Sequence, residues 1–386
     1  MRRETRKRAK IKSNKLWRSL LLLVFILIAM GILSACGAAA TEAPAAPEEP
    51  AVPEAPAATA APEEQVEPRE GYPVQYGQDT RTELYQHSDS KLKEMAASVA
   101  IFVHKNQVDV SGNAVTLNGY TLNEMSEIGW LVSGVNLPMC ADELFSSQAA
   151  PGFCTGFLVG EDILVTAGHC LQKAACSDTS IVFGFQMESN SSLAAMTKDD
   201  VFECAEVVAQ VLPNQENQFL DYAIIKLERP TGRAGLSFTT DDLLKAQDNV
   251  AVLGYPSGLP QKIASNAFVL SNDTSSPFFV ANLDTFGSNS GSPVINTSTY
   301  QVEGILVRGT TDYILSDDGS CVQVNRCPEG GDINCAGENA TKMAMLAKDI
   351  PESVSSEPEG LNCYPGLLLV LVLIALARLK ISGSPV

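Results

Sequence analysis

Short runs of β-branched and aromatic residues, separated by turn-forming residues, dominate the chain from about residue 98 to residue 309. The runs are SVAIFV, GFLVG, ILVTAG, IVFGF, EVVAQVL, YAIIKL, VAVLGY, AFVL, PFFVA, SPVI and EGILVRG. Helical periodicity is scarce, and it predicts helices only around Lys91–Ala97 and Asp241–Gln247. Many short strands without alternating helices are typical of an all-β barrel or sandwich.

The N-terminal hydrophobic run differs from these strands because it follows a strongly basic segment. Residues 1–18 carry nine Lys or Arg side chains, the apolar run spans Leu20–Ile32, and the stretch LSAC ends at Cys36. This order predicts a secretory signal over residues 1–35 and an exported protein, either surface-bound or secreted. LSAC resembles the lipobox of bacterial lipoproteins, in which Cys36 would be lipidated and would hold the protein at the cell envelope. The alternative is an uncleaved anchor helix.

Two further segments differ in composition from the predicted strands. Residues 36–72 are rich in Ala, Pro and Glu, which predicts a disordered tether. Residues 351–365 predict a linker, and residues 366–386 a short hydrophobic and basic tail. Its apolar stretch Leu367–Ala377 is shorter than the roughly 20 residues that cross a bilayer. The tail resembles the C-terminal sorting signals of some bacterial secreted proteins, and the alternative is a core strand or helix. A folded domain is expected over residues 73–350.

The charge of the exported part is strongly acidic. Without residues 1–35, 18 Lys or Arg residues stand against 44 Asp or Glu residues, so the formal net charge moves from −18 to −26. A surface of this sign repels phosphate groups. The sequence therefore predicts neither nucleic acid nor an anionic lipid surface as a partner, and solubility is the simplest explanation of the acidity. A monomer is expected.

The predicted domain is rich in cysteine. It contains Cys140, Cys154, Cys170, Cys176, Cys204, Cys321, Cys327 and Cys335, with Cys363 beyond it. Eight cysteines in an exported domain predict disulfides, whose pairing the sequence alone leaves open. A zinc site at Cys321, Cys327 and Cys335 is the weaker alternative, since no histidine lies nearby and the spacing is not CxxC. No metal or other cofactor is predicted.

Residues 287–293 read GSNSGSP and place Ser290 in a loop of small residues. Such a loop is by composition a turn, so a nucleophilic serine needs a histidine base, an acid and two oxyanion donors elsewhere. Of the three histidines, His87 is expected to be a solvated loop residue, and His104 ends a strand beside a lysine. His169 differs, because ILVTAGHC places it directly after a strand.

Four stretches carry a family resemblance. LVTAGHC resembles the TAAHC histidine motif of trypsin-like (chymotrypsin-fold) serine peptidases, and CTGFLV resembles their CGGSLI strand. DYAIIKL resembles DIALLKL and contains Asp221, whereas NSGSP resembles DSGGP and contains Ser290. The order His, Asp, Ser is also that of this fold. GSNSGSPV and GYPSG further resemble the bacterial branch that contains the glutamyl endopeptidases. The resemblance extends from about Tyr76 to about Met345.

The resemblance implies a fold, a reaction and a set of site residues. The fold is two six-stranded antiparallel β-barrels with the active site between them, and a disulfide joins Cys154 to Cys170 across the histidine loop. The reaction is hydrolysis of protein or peptide substrates by a Ser290–His169–Asp221 triad through an acyl-enzyme. The alternative is a catalytically idle peptidase fold that serves as a tethered binding module.

The implied oxyanion hole departs from the family at its first donor. Its donors are the backbone N–H groups of Ser288 and Ser290. The family usually has Gly at the first of these positions. Ser288 must therefore adopt a conformation that Gly takes freely.

The resemblance leaves activation and substrate preference less defined. Asn289 stands where animal trypsins carry the Asp that pairs with a new N-terminus, so that activation switch is not predicted. Asp284 lies six residues before Ser290, where trypsins hold the acid that binds Arg or Lys, but it could equally be a buried turn residue. Thr285 matches a residue of the glutamyl endopeptidases, whereas their specificity histidine is Leu306 in this chain. Arg308 could serve acidic substrates instead, or be a solvent-exposed strand residue. Basic and acidic preferences therefore both stay open.

Overall fold

A computed structural model describes residues 75–332 and 335–351. The predicted signal peptide, lipidated Cys36, tether and C-terminal tail lie outside the described residues, as do Cys363 and all but the first residue of the predicted linker. In the described part, no helix is both long enough and apolar enough to cross a membrane.

The described residues contain eighteen strands and three short α-helices. The strands are β1 (Arg81–Glu83), β2 (Val99–His104), β3 (Val108–Ser111), β4 (Ala114–Leu117), β5 (Cys154–Leu158), β6 (Ile163–Thr166), β7 (Thr179–Phe183), β8 (Met196–Thr197), β9 (Val201–Val211), β10 (Tyr222–Leu227), β11 (Asn249–Gly254), β12 (Lys262–Ser271), β13 (Phe278–Ala281), β14 (Pro293–Asn296), β15 (Gln301–Arg308), β16 (Tyr313–Leu315), β17 (Val322–Val324) and β18 (Glu338–Lys342). The α-helices are α1 (Ser90–Ala96), α2 (Leu122–Glu127) and α3 (Cys170–Lys173). Single 3₁₀ turns occur at Lys105–Gln107, Cys176–Asp178, Lys198–Asp200, Pro256–Gly258, Met343–Met345 and Ala347–Asp349.

The first barrel closes in the order β10-β6-β5-β2-β7-β9, with every pair antiparallel. Five of its strands, β2, β5, β6, β7 and β10, are largely apolar in sequence and buried over almost their whole length, whereas much of β9 is partly or fully exposed. Phe102, Phe157 and Phe183 fill its interior and are inaccessible to solvent. Burying large aromatic side chains contributes most of the packing energy in such a core.

The second barrel follows the order β12-β11-β14-β15-β18-β13 and closes where β13 pairs with the end of β12. The short strand β1 pairs with the start of β12, with Thr82 opposite Ile263. This pairing places the start of the described residues against the second barrel. The predicted all-β fold of two six-stranded antiparallel barrels is confirmed.

The local predictions have mixed outcomes. All eleven runs named from the sequence contain strands, and α1 begins after Asp89, whose carboxylate accepts from the backbone N–H groups of Lys91 and Leu92. The helix predicted at Asp241–Gln247 is wrong, because this segment is irregular and ends in a turn. The Asp248 carboxylate accepts from the Lys245 amide at 2.8 Å, and Gln247 has a φ of 72°. A side chain that captures a backbone amide competes with the helix for it.

Four disulfides tie loops to the barrels: Cys140–Cys321, Cys154–Cys170, Cys176–Cys204 and Cys327–Cys335. Because Cys321, Cys327 and Cys335 are all oxidised, the alternative zinc site has no thiolate ligands and is excluded. The Cys140–Cys321 bridge joins the segment between α2 and β5 to the turn between β16 and β17. Residues of the first segment and of the strands β16 and β17 pack with Tyr76, Leu259 and Phe286 in a separate apolar cluster.

Candidate active site

His169 lies just after the end of β6. The backbone directly before it, at Gly168, packs closely against the backbone of β9. A Cβ atom on the preceding Gly168 would lie 2.1 Å from the carbonyl oxygen of Val211, so only glycine fits there. Immediately after the histidine, Cys170 begins α3 and is bonded to Cys154 of β5. The histidine is therefore held between a fixed strand end and a disulfide. Both cysteine sulfurs beside it are oxidised and cannot serve as thiolate metal ligands.

Asp221 orients the imidazole of His169 through two contacts. Its Oδ2 lies 2.8 Å from His169 Nδ1, and its Oδ1 accepts from the His169 backbone N–H at 3.1 Å. The Asp221 side chain is 1% exposed and that of His169 is 22% exposed. A proton on Nδ1 shared with the buried carboxylate leaves Nε2 as the basic nitrogen on the exposed side. This is the base-and-orienter arrangement that nucleophilic catalysis needs.

The loop that carries Ser290 is braced against β5. The Ser290 carbonyl oxygen accepts from the Thr155 backbone N–H at 2.8 Å. Gly291 has a φ of 92°, and a Cβ there would lie 1.9 Å from the Thr155 carbonyl oxygen. Within the described residues the Ser290 hydroxyl has no hydrogen-bond partner. Nucleophile–base contacts are often long without substrate and tighten in the complex.

Ser288 adopts the left-handed conformation expected at its position, with a φ of 69°. Its carbonyl oxygen accepts from the Thr155 hydroxyl at 2.8 Å, and its own hydroxyl donates to the Gly152 carbonyl oxygen at 3.1 Å. The Gly287 carbonyl accepts from the Ser257 amide at 2.6 Å. Because the two groups of a trans peptide point in opposite directions, this bond directs the Ser288 N–H away from Ser257.

The two N–H groups expected to form the oxyanion hole are available. Among residues 75–332 and 335–351, neither the Ser288 amide nor the Ser290 amide donates to a protein acceptor. Unused backbone donors on a braced loop can stabilise an oxyanion without reorganisation. The loop geometry is therefore compatible with a preformed hole.

A cavity of about 190 Å³ opens beside Ser290. Its walls are Phe286 and Gly287, residues 306–310, and the side chains of Asp312 and Glu338. Of the four specificity candidates, Leu306 and Arg308 are in this lining. Thr285 is not, but its hydroxyl donates to Glu338 Oε2 at 2.8 Å.

The fourth candidate, Asp284, faces the residues just before β1 instead of the cavity. Its Oδ1 accepts from the Tyr76 amide at 2.8 Å, and its Oδ2 accepts from the amide and the hydroxyl of Thr80 at 2.8 and 2.5 Å. The side chain is buried, and burial raises its pKa to about 6 against the lowering effect of these donors. Asp284 thus has the buried, hydrogen-bonded arrangement that the sequence left open.

Burial dominates the electrostatics of the cavity. It raises the pKa of Glu338 to about 8 and that of Asp312 to about 6, since a carboxylate is poorly solvated there. Desolvation lowers the pKa of the Arg308 guanidinium, which donates to the Phe219 carbonyl oxygen at 2.9 Å and lies over the Phe278 ring. The Arg308 guanidinium is therefore bonded to the loop that contains Phe219.

Several functional neighbours were not found from the sequence. Glu338 and Asp312 lie outside the recognisable motifs, and the Thr155 hydroxyl and the Gly152 carbonyl oxygen reach Ser288 only because the fold brings these segments together. The prediction for His87 was wrong: it is buried, its Nε2 lies 3.3 Å from the Ser265 hydroxyl, and its Nδ1 accepts from the Asp89 amide. His104 is exposed. His87 therefore has a packing role.

Comparison with known proteins shows which proteins this chain is similar to. Residues 154–305, which include His169, Asp221 and Ser290, match the family described as a trypsin-like peptidase domain. Over 162 residues the chain is 26% identical to the glutamyl endopeptidase of Bacillus licheniformis, covering 38% of this chain and 46% of that protein, so it spans about half the relative's length. The Vibrio cholerae VesB protease structure has 13% identity and a TM-score of 0.42, covering 70% of this chain and 65% of the other. A Glu endopeptidase structure in complex with MPD has 17% identity and a TM-score of 0.38, with coverages of 70% and 95%. Residues 154–305 are therefore similar to trypsin-like peptidase domains, and this similarity covers less than half of the chain.

Proposed function

We propose that this chain is an exported serine endopeptidase that hydrolyses peptide bonds through an acyl-enzyme. Ser290 is the nucleophile, His169 the general base and acid, and Asp221 the residue that orients the imidazole. The contact of 2.8 Å between His169 Nδ1 and the buried Asp221 carboxylate is the observation that carries the proposal. The match of residues 154–305 to the peptidase domain supports it.

The proposed reaction proceeds in two halves. Ser290 Oγ attacks the carbonyl carbon of the scissile bond while His169 Nε2 takes the hydroxyl proton, and the N–H groups of Ser288 and Ser290 stabilise the resulting oxyanion. The intermediate collapses as His169 gives that proton to the departing amine, which leaves an ester on Ser290. Water, deprotonated by His169, then attacks the ester, and the carboxylic acid product leaves as the proton returns to Ser290.

The location of the protein is part of the proposal. Four disulfides in the described residues are typical of an oxidising compartment outside the cytosol. We infer that the N-terminal segment is the export signal, that lipidated Cys36 anchors the chain, and that residues 73–350 form the peptidase domain. Radiolabelled palmitate in the expressing bacterium would label the wild-type chain and not Cys36→Ala.

A fluorophosphonate probe tests the enzymatic proposal. The wild-type protein should form a covalent adduct, located by peptide mapping at Ser290, and His169→Ala and Ser290→Ala should abolish it. Ser298→Ala, which changes a serine on an exposed turn, should label like the wild type. Properly folded wild-type protein without an adduct at Ser290 would overturn the proposal and would favour the idle binding module.

A further inference from the structure

The cavity beside Ser290 has a carboxylate in its buried lining that no sequence motif marks. Glu338 is 4% exposed, and it reaches the cavity from β18. A Cβ atom on Gly309 would lie 1.8 Å from Glu338 Oε2, so the carboxylate lies directly against the bare backbone of β15's end. The glycine at position 309 is therefore what leaves room for this side chain in the cavity wall.

We propose that this cavity binds the side chain of the residue before the scissile bond (P1), and that Glu338 makes it select a cationic side chain, lysine or arginine. The inference rests on the proposed endopeptidase function. It assigns the selection to Glu338 and not to Asp284, the residue six positions before the nucleophile.

The hydrogen bonds of Glu338 hold its carboxylate in place and leave it able to accept more. Oε2 accepts from the Thr285 hydroxyl at 2.8 Å, and Oε1 accepts from the Thr310 amide at 3.1 Å. Each carboxylate oxygen has two lone pairs, so an ammonium or guanidinium donor can still bind. Such charge-assisted bonds are stronger than those between neutral groups.

Glu338 differs from two other buried glutamates because it makes no ion pair within the described residues. Glu83 pairs with Lys262 at 3.1 Å, and Glu143 pairs with Arg326 at 2.8 Å. The charged side chains that act most on Glu338 are the acids Asp312 and Asp284. A buried carboxylate without a cation is costly, so Glu338 keeps its proton until a substrate cation enters the cavity and compensates the charge of the carboxylate.

The cations near the cavity are directed elsewhere. Arg308 Nη1 donates to the Phe219 carbonyl oxygen, and its guanidinium lies 5.1 Å from the centre of the Phe278 ring. Lys173 Nζ donates to the Phe153 carbonyl oxygen at 3.1 Å. Asp312 adds a second carboxyl to the lining, fixed by the Gly287 amide at 2.7 Å. Among its lining residues the cavity therefore has two carboxyls and one cation, Arg308, which is bonded to a neighbouring loop.

Peptide substrates that differ only at P1 test the proposal. With Lys, Arg, Gln, Ala and Glu at P1, kcat/KM of the wild type should be highest for Lys and Arg, by at least about 100-fold over Glu. Glu338→Gln should lower the Lys-to-Gln ratio at least about tenfold. Glu303→Gln, which removes a buried carboxyl outside the cavity lining, is the matched control and should keep the wild-type ratio.

A binding measurement separates this inference from the catalytic proposal. Calorimetry with the cation 4-aminobenzamidine on Ser290→Ala should show binding that is lost when Glu338→Gln is added. An unchanged Lys-to-Gln ratio in Glu338→Gln, or a ratio that falls only in Asp284→Asn, would overturn the inference. Fluorophosphonate labelling at Ser290 in the same preparations would then show that the endopeptidase proposal stands.

Discussion

The hydroxyl of Ser288 donates to the carbonyl oxygen of Gly152 at 3.1 Å. This bond ties the loop before the candidate nucleophile to the chain that leads into β5. It also explains how a serine occupies a position where the backbone has a φ of 69°. A non-glycine residue in the left-handed region costs about 1–2 kcal/mol, and the hydrogen bond offsets part of that cost. Ser288 is thus a positioning residue for the proposed oxyanion hole.

Ser288→Ala should lower kcat more than Ser288→Gly. Alanine keeps the strained Cβ and loses the bond to Gly152, so the amide of residue 288 is less firmly directed. We expect a fall in kcat of about tenfold, below the roughly 100-fold or greater loss of an entire oxyanion donor. Glycine removes the strain and should retain most of the activity. Steady-state measurements that separate kcat from KM test this, and equal kcat values for the two variants would contradict it.

The strands and the fold could be predicted because their residues are locally distinctive. Apolar runs such as YAIIKL are buried on both faces. Their strands can therefore be recognised from the sequence without knowing which strands lie next to them. β18 was missed because its sequence, ENATK, mixes a glutamate, a lysine and small residues. Its Glu338 faces the cavity and its Lys342 bonds Asp242 at 2.8 Å, and these partners come from distant parts of the chain.

The candidate site could be predicted as far as its motifs extend. His169 and Asp221 are 52 residues apart in sequence, yet the order and flanking residues of their motifs were enough to pair them. The direction in which Asp284 points could not be predicted, because Tyr76 and Thr80 reach it from more than 200 residues away. Long-range contacts of this kind follow from the barrel packing and leave no local pattern.

Asp221→Asn should reduce kcat by about 10⁴-fold with a much smaller change in KM. The asparagine amide would face His169 Nδ1 with a donor and favour the wrong tautomer. Steady-state kinetics on one peptide substrate measure the effect. Asp349→Asn is a suitable control, because this carboxylate accepts from the Tyr222 hydroxyl at 2.7 Å and lies next to the same strand without contacting His169. A similar loss in both variants would indicate a structural cause.

Removing the Cys154–Cys170 disulfide should lower both stability and activity. The loss of activity should be larger than the loss of folded protein accounts for. The bridge closes a loop with a sequence separation of 16, and loops of this length contribute about 3 kcal/mol to stability. The double variant Cys154→Ala/Cys170→Ala should therefore melt at a lower temperature. Because the bridge flanks His169, kcat should also fall at temperatures where the variant is folded. Cys327→Ala/Cys335→Ala, with a separation of 8, should lower the melting temperature without a comparable loss of kcat.

Glu338 should make the protein less stable as the pH rises. Its folded-state pKa is about 8, above the ordinary value of 4.5. Between these values the folded state holds a proton that the unfolded state has released, so the free energy of unfolding falls with increasing pH through this window. Burial shifts Asp284 and Asp312 in the same direction to about 6. Burial, with the nearby Glu338 carboxyl, raises the pKa of Tyr76 from 10.0, and desolvation lowers the pKa of Arg308.

Glu338→Gln should remove the contribution of Glu338 to the pH dependence of the free energy of unfolding and leave the contributions of Asp284 and Asp312. The free energy of unfolding of Glu338→Gln minus that of the wild type should therefore increase from pH 5 to pH 9, measured by urea denaturation at each pH. Glu94→Gln changes an exposed glutamate on α1 and should give a constant difference over the same range. Parallel curves for Glu338→Gln and the wild type would contradict the raised pKa. They would also remove one reason for the cavity to prefer a cation, because an unperturbed carboxylate would already be compensated within the fold.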